Sequence, residues 1–324
     1  MKNEPIEQEG FQQGFERQLL KAFRRVGRAL FAVSGGVDSM ALAQAGARLG
    51  LSFEVASLDH GLRPEAAAEV ELVRAWAAGH GVPFHTRALG LARGPAIEAR
   101  ARAARYVALH EIARAQGLGV IVTAHTATDQ AETVLMRLTR GAAGRGASGV
   151  RSQREDGLLR PLLFATRADT ERYVRELGVT AVKDPMNDDR SFLRVRVRHE
   201  LLPVLEQVAG PHATAALARF AGYAAEDEAW LGAEAATAFA RVRSGASLDR
   251  MAFRSLGPPI RRRVLALWFE VLELPLDAHH LEDALGAIEE GRTATLPNDR
   301  VLIVDRGSLS VCPAPARTSR NFIE

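Results

Sequence analysis

The chain has 324 residues, 47% of them hydrophobic and 25% charged, which predicts a globular protein of about two domains. No run approaches the roughly 20 uninterrupted apolar residues of a membrane-spanning helix. The opening MKNEPIEQEG is acidic and polar rather than basic and then apolar, so a cytoplasmic protein with no membrane partner is expected. Cys312 is the only cysteine, which excludes an intramolecular disulfide and a cysteine-built metal cluster within one chain.

Net charge is only +3, yet the pI is near 9.4, and all but three (Lys2, Lys21, Lys183) of the 42 basic residues are arginine. Genome composition accounts for that bias without invoking nucleic acid. Placement says more: six arginines fall from Arg137 to Arg160 against Glu155 and Asp156, and Arg190, Arg194, Arg196 and Arg198 lie within nine residues. Each cluster reads either as a solvated face or as an electrostatic footprint for phosphates.

Residues 1–28 read as an extension. From residue 29 to 209 the short apolar runs ALFAVSGG, FEVASLDH, PFHTRAL and VIVTAH alternate with amphipathic stretches. That rhythm predicts an α/β domain, a mostly parallel sheet with helices on both faces. From residue 210 helical patterns follow one another without strands, and TATLPNDRVLIVDRGSLSVC closes with two apolar runs around Arg306-Gly307-Ser308. Residues 210–312 therefore read as a smaller helical module ending in a short β hairpin, and residues 313–324 as a tail.

The most specific local feature is Ser34-Gly35-Gly36-Val37-Asp38-Ser39, directly after the first strand and before the helical MALAQAGARLG. Glycines let backbone approach a ligand, the serine hydroxyls can donate, and a helix N-terminus favours an anion. The stretch lacks the lysine of GxxxxGK[ST] and the spacing of GxGxxG. A plain strand-to-helix turn is the alternative.

SGGxDS in this setting resembles the PP-loop of the N-type ATP pyrophosphatases, which implies ATP split between its α- and β-phosphates and Mg²⁺ held with help from Asp38. Further matches narrow the resemblance to the tRNA(Ile)-lysidine synthases. These are Asp59-His60-Gly61-Leu62-Arg63, Glu98-Ala99-Arg100-Ala101-Arg102-Ala103-Ala104-Arg105-Tyr106, Thr123-Ala124-His125, Asp129-Gln130-Ala131-Glu132-Thr133, Arg160-Pro161-Leu162-Leu163 and Arg194-Val195-Arg196-Val197-Arg198-His199. The ordered match covers about residues 29 to 205, and as a set it is highly specific. It departs at Val195, where that family usually has Asn, and in GAAGRGASGV, where Ala143 and Ala147 replace bulkier or glycine residues while Gly141, Gly146 and Gly149 remain.

The resemblance implies that the O2 of the wobble cytidine, in a tRNA(Ile) with a CAU anticodon, attacks the α-phosphate of ATP and expels pyrophosphate. The ε-amine of L-lysine then attacks C2 and expels AMP. It assigns Ser34, Gly35, Gly36, Val37, Asp38 and Ser39, with His60 and His125 at strand ends, to the nucleotide, and leaves a homodimer open.

An ammonium substrate wants carboxylates, and Asp129 and Glu132 share one face at the start of a predicted helix. They are the lysine candidates, with helix capping as the alternative. Because a free lysine side chain has a pKa of about 10.4, one of them is expected to take or relay its proton. Asp38, Asp129 and Glu132 are thus the expected catalytic residues.

Arg102 and Arg105 are expected to pair with substrate phosphate or carboxylate in bidentate fashion, a solvated or salt-bridged helix face being the alternative for Arg105, and Arg194 and Arg196 are further substrate-binding candidates. Arg194, Arg196 and Arg198 alternate with apolar residues, as in a half-buried strand, but helix is preferred because HELLPVLEQV continues the segment; Arg261-Arg262-Arg263 reads as a solvated first turn or a tRNA contact. Three rivals remain. A tRNA thiolase would need cysteines that this chain lacks, an amide-forming synthetase would need other motifs after Asp59, and a non-enzymatic RNA-binding module would leave SGGVDS unexplained.

Overall fold

The computed structural model describes residues 10–59, 61, 66–91, 94, 97–141, 146–182, 189–275 and 277–314. The chain divides into two compact units, Met1–Ala225 and Glu226–Glu324.

The first unit is built on a parallel sheet of order β3-β2-β1-β4-β5. Its strands are β1 (Ala29–Ala32), β2 (Phe53–Asp59), β3 (Phe84–Ala88), β4 (Val120–Thr123) and β5 (Leu158–Leu159). Successive strand residues face opposite sides, so the neighbours Leu30 and Phe31, both fully buried, enter different cores.

Phe31 stacks on Phe53 at 4.2 Å between ring centroids. It packs with α1 (Phe11–Phe23), α2 (Val37–Arg48), α3 (Ala66–Gly79) and α6 (Arg167–Glu176) through Phe15, Leu19, Met40, Leu42, Val73 and Tyr173. Leu30 joins Leu109 and Ile112 of α4 (Ile97–Ala115), with Ile121 and Leu158. Burial on both faces is why β1 and β4 read as continuous apolar runs.

Two differences from the sequence reading concern this unit. Residues 1–28 are not an appendage throughout: α1 buries Phe15, Leu19 and Phe23 in the sheet's core, and Phe15 stacks on Tyr173 at 4.5 Å. Strand β5 has only two residues and no periodic signature. Its approach to the sheet depends on Gly157 (φ +82°), where a Cβ would lie 2.4 Å from the carbonyl oxygen of Gly119.

The chain reverses direction of travel across the sheet between β1 and β4. Helix α2 follows β1 at its carboxyl end and α5 (Ala127–Leu138) follows β4 at the same edge, which is where open α/β sheets bind ligands. After α6 come α7 (Leu193–Arg196), a π-helical turn (Val197–Leu201) and α8 (Leu202–Ala209), so the Arg194 stretch is helical, with Val195 and Val197 buried.

Helix α9 (Ala213–Val242) contains the division between the units, which therefore falls sixteen residues beyond the expected 209/210 boundary, at 225/226. In the second unit α10 (Arg250–Arg254), α11 (Pro258–Val271) and α12 (Ala278–Glu290) accompany an antiparallel sheet of order β6-β7-β10-β9-β8. The strands are β6 (Arg243–Ser244), β7 (Ser247–Asp249), β8 (Ala294–Leu296), β9 (Arg300–Val304) and β10 (Ser308–Pro313). The expected hairpin is β9–β10, set into this larger sheet.

Trp268, Phe269, Phe253, Leu302 and Leu309 form the second unit's core. The β8–β9 turn carries left-handed backbone at Asn298 and Asp299, the residue types that tolerate it best after glycine. No helix among the described residues is long and apolar enough to cross a membrane.

Candidate active site at the carboxyl edge of the sheet

The loop after β1 is stitched by its own serines. Ser39 Oγ donates to the Gly36 carbonyl (2.9 Å), accepts from the Ser34 amide (3.1 Å) and lies 3.3 Å from Ser34 Oγ. Gly35 has φ +83° and offers its carbonyl to the Val182 amide at 2.9 Å, with Glu69, Val73 and Val182 all within 3.7 Å of where a Cβ would sit. No side chain caps α2, whose N-cap is Gly36. Its first amides are therefore left to an anion at the positive end of the helix. Val37 opens α2 and rests against the core.

Asp38 lies in the first turn of α2. Its Oδ1 accepts from Thr170 Oγ1 (2.5 Å) and its Oδ2 from Arg167 Nη1 (3.1 Å), both on α6. Burial raises its pKa above the ordinary carboxylate value; Arg167 and Thr170 offset part of that, and the negative charge of Asp129 adds to it. The Arg167 amide also donates to Thr128 Oγ1 at 3.0 Å. One residue thus ties the loop after β1 to the start of α5.

At that start Thr126 and Asp129 form a capping box: Asp129 Oδ2 accepts from the Thr126 amide (2.8 Å) and hydroxyl (3.1 Å). The capping alternative is therefore met by one oxygen of Asp129. The other faces inward, accepting from Arg194 Nη2 at 2.8 Å, with Arg198 Nη2 3.6 Å away. Glu132 has no solvent exposure; its Oε2 accepts from Arg194 Nε (2.6 Å) and its Oε1 from Arg198 Nε (2.5 Å).

Two carboxylates and two guanidiniums thus form a charge-balanced, hydrogen-bonded square. Burial alone would raise the Asp129 pKa, but Arg194, the Thr126 amide and Arg198 outweigh it and hold the carboxyl below its ordinary range. Burial likewise works against the Arg194 charge, and Asp129 and Glu132 overcome it.

Other expected residues sort differently. Arg196 is exposed and pairs with Glu200 at 3.4 Å, away from the square. His125 hydrogen bonds Thr123 Oγ1 through Nδ1 (3.0 Å), and burial pushes its imidazole pKa far below the ordinary 6.5, keeping it neutral. Arg102 and Arg105 lie on α4, Arg102 donating to the Tyr106 hydroxyl at 3.3 Å. His60, Arg63 and Ala143 lie outside the described residues. Among the described residues no three His, Cys, Asp or Glu side chains cluster as a metal site.

Arg167 and Thr170, the partners of Asp38, carry no motif that singles them out in the sequence, and Arg198 stands out there only as a member of the arginine cluster at 190–198. The sole local signal near the first two was a capping box from Thr166 to Asp169, which marks a helix start and no chemistry.

Residues 11–205 match the PP-loop domain family. The chain is 38% identical over 318 residues to the tRNA(Ile)-lysidine synthase of Salinispora arenicola, covering 92% of this chain and 95% of that protein. The chain belongs to the tRNA(Ile)-lysidine synthase family. Its similarity to the Mycolicibacterium paratuberculosis tRNA(Ile)-lysidine synthase is 42% over 244 residues, 75% of this chain and 74% of that one. Among solved structures, a U34-tRNA thiolase from Methanococcus maripaludis with its [4Fe-4S] cluster shares the fold at TM-score 0.57 and 15% identity, over 67% of this chain and 80% of that one.

Proposed function

We propose that the carboxyl edge of the first unit's sheet uses ATP to replace the C2 oxygen of the wobble cytidine in a CAU-anticodon tRNA(Ile) with the ε-amine of lysine. Supporting this reading is the adjacency that Arg167 creates: one side bonds Asp38 beside the PP-loop, the other bonds Thr128 beside the acidic pair on α5. A nucleotide-activating loop and a cation-binding pair are then neighbours, which a two-step adenylation and amine transfer requires.

In the first step the cytidine O2 attacks the α-phosphate and the O–P bond to pyrophosphate breaks. The uncapped amides of α2 and the hydroxyls of Ser34 and Ser39 are aimed where charge builds on the leaving group. Asp38 presents a single carboxylate there, the donor set Mg²⁺ uses when nucleotide phosphates and water complete its octahedron. Bound at that carboxylate, Mg²⁺ would screen the phosphate charge.

In the second step the lysine nitrogen forms its bond to C2 as AMP departs with the former O2. Asp129, ionised because its partners hold its pKa down, and Glu132 attract the ammonium and receive its proton. Entry of a third cation into their square requires Arg194 or Arg198 to loosen, so lysine binding exchanges one ion pair for another. His125, neutral by burial, offers a hydrogen bond rather than a charge to the nucleotide.

The test is incubation with ATP, radiolabelled lysine and unmodified CAU-anticodon tRNA(Ile). Lysine in the tRNA with stoichiometric AMP is the expected result. Absence of label, or label independent of ATP, would refute the reading. Thiolation is disfavoured because the lone Cys312 lies half-buried on β10.

A further inference from the structure

Arginine keeps its charge in proteins, so one that is buried without a carboxylate is costly unless an anion completes it. Arg160, at the end of β5, is only 3% exposed. Its Nη1 donates to the Arg151 carbonyl at 2.6 Å, and its Nε has no partner. From α4, Tyr106 hydrogen bonds the Arg160 side chain and Arg102 bears on it, with Arg105 beside Tyr106 on the same helix. Burial disfavours the charge of both Arg105 and Arg160, and Arg102 repels each of them.

Among the described residues no carboxylate pairs with Arg102, Arg105 or Arg160, whereas most other arginines of this unit that pair at all do so with Asp or Glu. The one aromatic ring here, Tyr106, has the guanidinium carbons of Arg102 and Arg154 at 5.2 and 5.6 Å from its centroid. Arg154 is already paired with Asp156 at 2.6 Å, so it supports the ring and leaves the other three unneutralised. The charges of Arg102 and Arg160 both bear on His125, at the edge of the proposed reaction site.

We infer that Arg102, Arg105 and Arg160, with the Tyr106 hydroxyl, form a receptor for a backbone phosphate of the tRNA next to the reacting nucleotide. The inference rests on the proposed function for the identity of its ligand. A phosphodiester fits better than the carboxylate of free lysine. Three guanidiniums around one phenol exceed what a single carboxylate neutralises, while a nucleic-acid strand brings successive phosphates and a base able to lie against an arginine-flanked ring. Fixing that phosphate would fix the register of the anticodon loop, so that one cytidine and not its neighbour meets ATP.

The experiment uses the full chain and full-length tRNA(Ile), with Arg102→Gln, Arg105→Gln, the double variant and Arg102→Lys. Binding is measured against salt, alongside saturation by lysine and by ATP, with circular dichroism and melting to compare folding. Arg102 is exposed, so its variant keeps the fold; Arg160 is left intact. Each Gln substitution is expected to weaken tRNA binding on the order of tenfold. The log–log salt slope should flatten by about 0.7 to 0.9 for each phosphate no longer neutralised. Lysine and ATP saturation should stay within about twofold, and Arg102→Lys should recover most of the slope.

Unchanged tRNA affinity and slope would overturn the inference. A rise confined to the lysine requirement would make the cluster a lysine-carboxylate site, and a rise confined to ATP would make it a triphosphate site. Failure of the wild-type chain to transfer lysine would instead refute the functional reading, while the salt dependence of tRNA binding would still report on the arginines.

Discussion

Glu132 has no solvent exposure, and Arg194 and Arg198 approach its two carboxylate oxygens from two sides. Removing one member of such a group leaves the others buried and uncompensated. Glu132→Gln is therefore expected to lose about 2–3 kcal/mol in urea unfolding, less than for a wholly buried pair because Arg194 reaches solvent. The same variant should raise the lysine requirement and leave ATP saturation unmoved. An unaltered unfolding midpoint would show that the square does not exist in solution.

His125 gives the pH dependence its sign. Its folded pKa lies below the unfolded 6.5, so the unfolded chain takes up the proton first. Its contribution to stability is complete above that value and is lost as pH falls beneath it. Asp38 acts oppositely: its raised pKa means that the native state takes a proton first, so its ionisation costs stability as pH rises from 3.8 through the raised value. Between about pH 7.5 and pH 5 the wild-type chain is expected to lose about 1–2 kcal/mol relative to His125→Gln. Parallel stability curves for the two proteins would contradict the buried, neutral imidazole.

At the scale of elements, two helix starts hold the chemistry in place. The box at Thr126 orients Asp129, and the box at Thr166 sets the turn that carries Arg167 and Thr170 to Asp38. Thr126→Ala and Thr166→Ala should each cost about 1 kcal/mol in thermal unfolding. Their kinetic signatures should differ, the first raising the lysine requirement and the second the ATP requirement, with serine at either position restoring both. Identical kinetic effects would mean that the helices do not position separate ligands.

Gly149 belongs to this scale too. At φ +56° a Cβ would approach the Gln130 side chain to 2.6–3.0 Å, and Gln130 bonds both the amide (2.6 Å) and carbonyl (3.1 Å) of Val150. That clash calls for glycine here, in the loop where Ala143 and Ala147 depart from the family's usual residues.

For the molecule as a whole, the division inside α9 matters more than the change of rhythm at residue 210. Thr214 bonds Glu206 at 2.5 Å, and Leu217 packs against the cluster of Ala131, Val197 and Leu202. A chain ending at residue 225 should fold and bind ATP, and one ending at 210 should melt several degrees lower. Both should bind tRNA more weakly than the full chain if the second unit positions tRNA. A folded 1–225 chain with the full chain's affinity and salt slope would assign binding to the first unit alone. Arg261, Arg262 and Arg263 should contribute little to either measurement, because each pairs with a carboxylate, Glu289, Glu282 and Glu228 respectively.

Determined by sequence alone were the features whose cause lies within a dozen residues: the four longer strands, the serine-glycine loop feeding α2, the acidic pair one turn apart on α5, and the helical reading of the Arg194 stretch. Their signals are periodicity, turn chemistry and spacing, which need no distant partner. Only tertiary structure decided which charges meet. Arg194 reaches Glu132 across 62 residues, Arg198 across 66, and Arg167 reaches Asp38 across 129. In a chain whose basic residues are nearly all arginine, many guanidiniums were equally eligible, and the strand order chose among them by bringing α2, α5, α6 and α7 to one edge. The same holds for α1 and for the two-residue β5, whose places follow from surfaces left open by the sheet rather than from any pattern of their own.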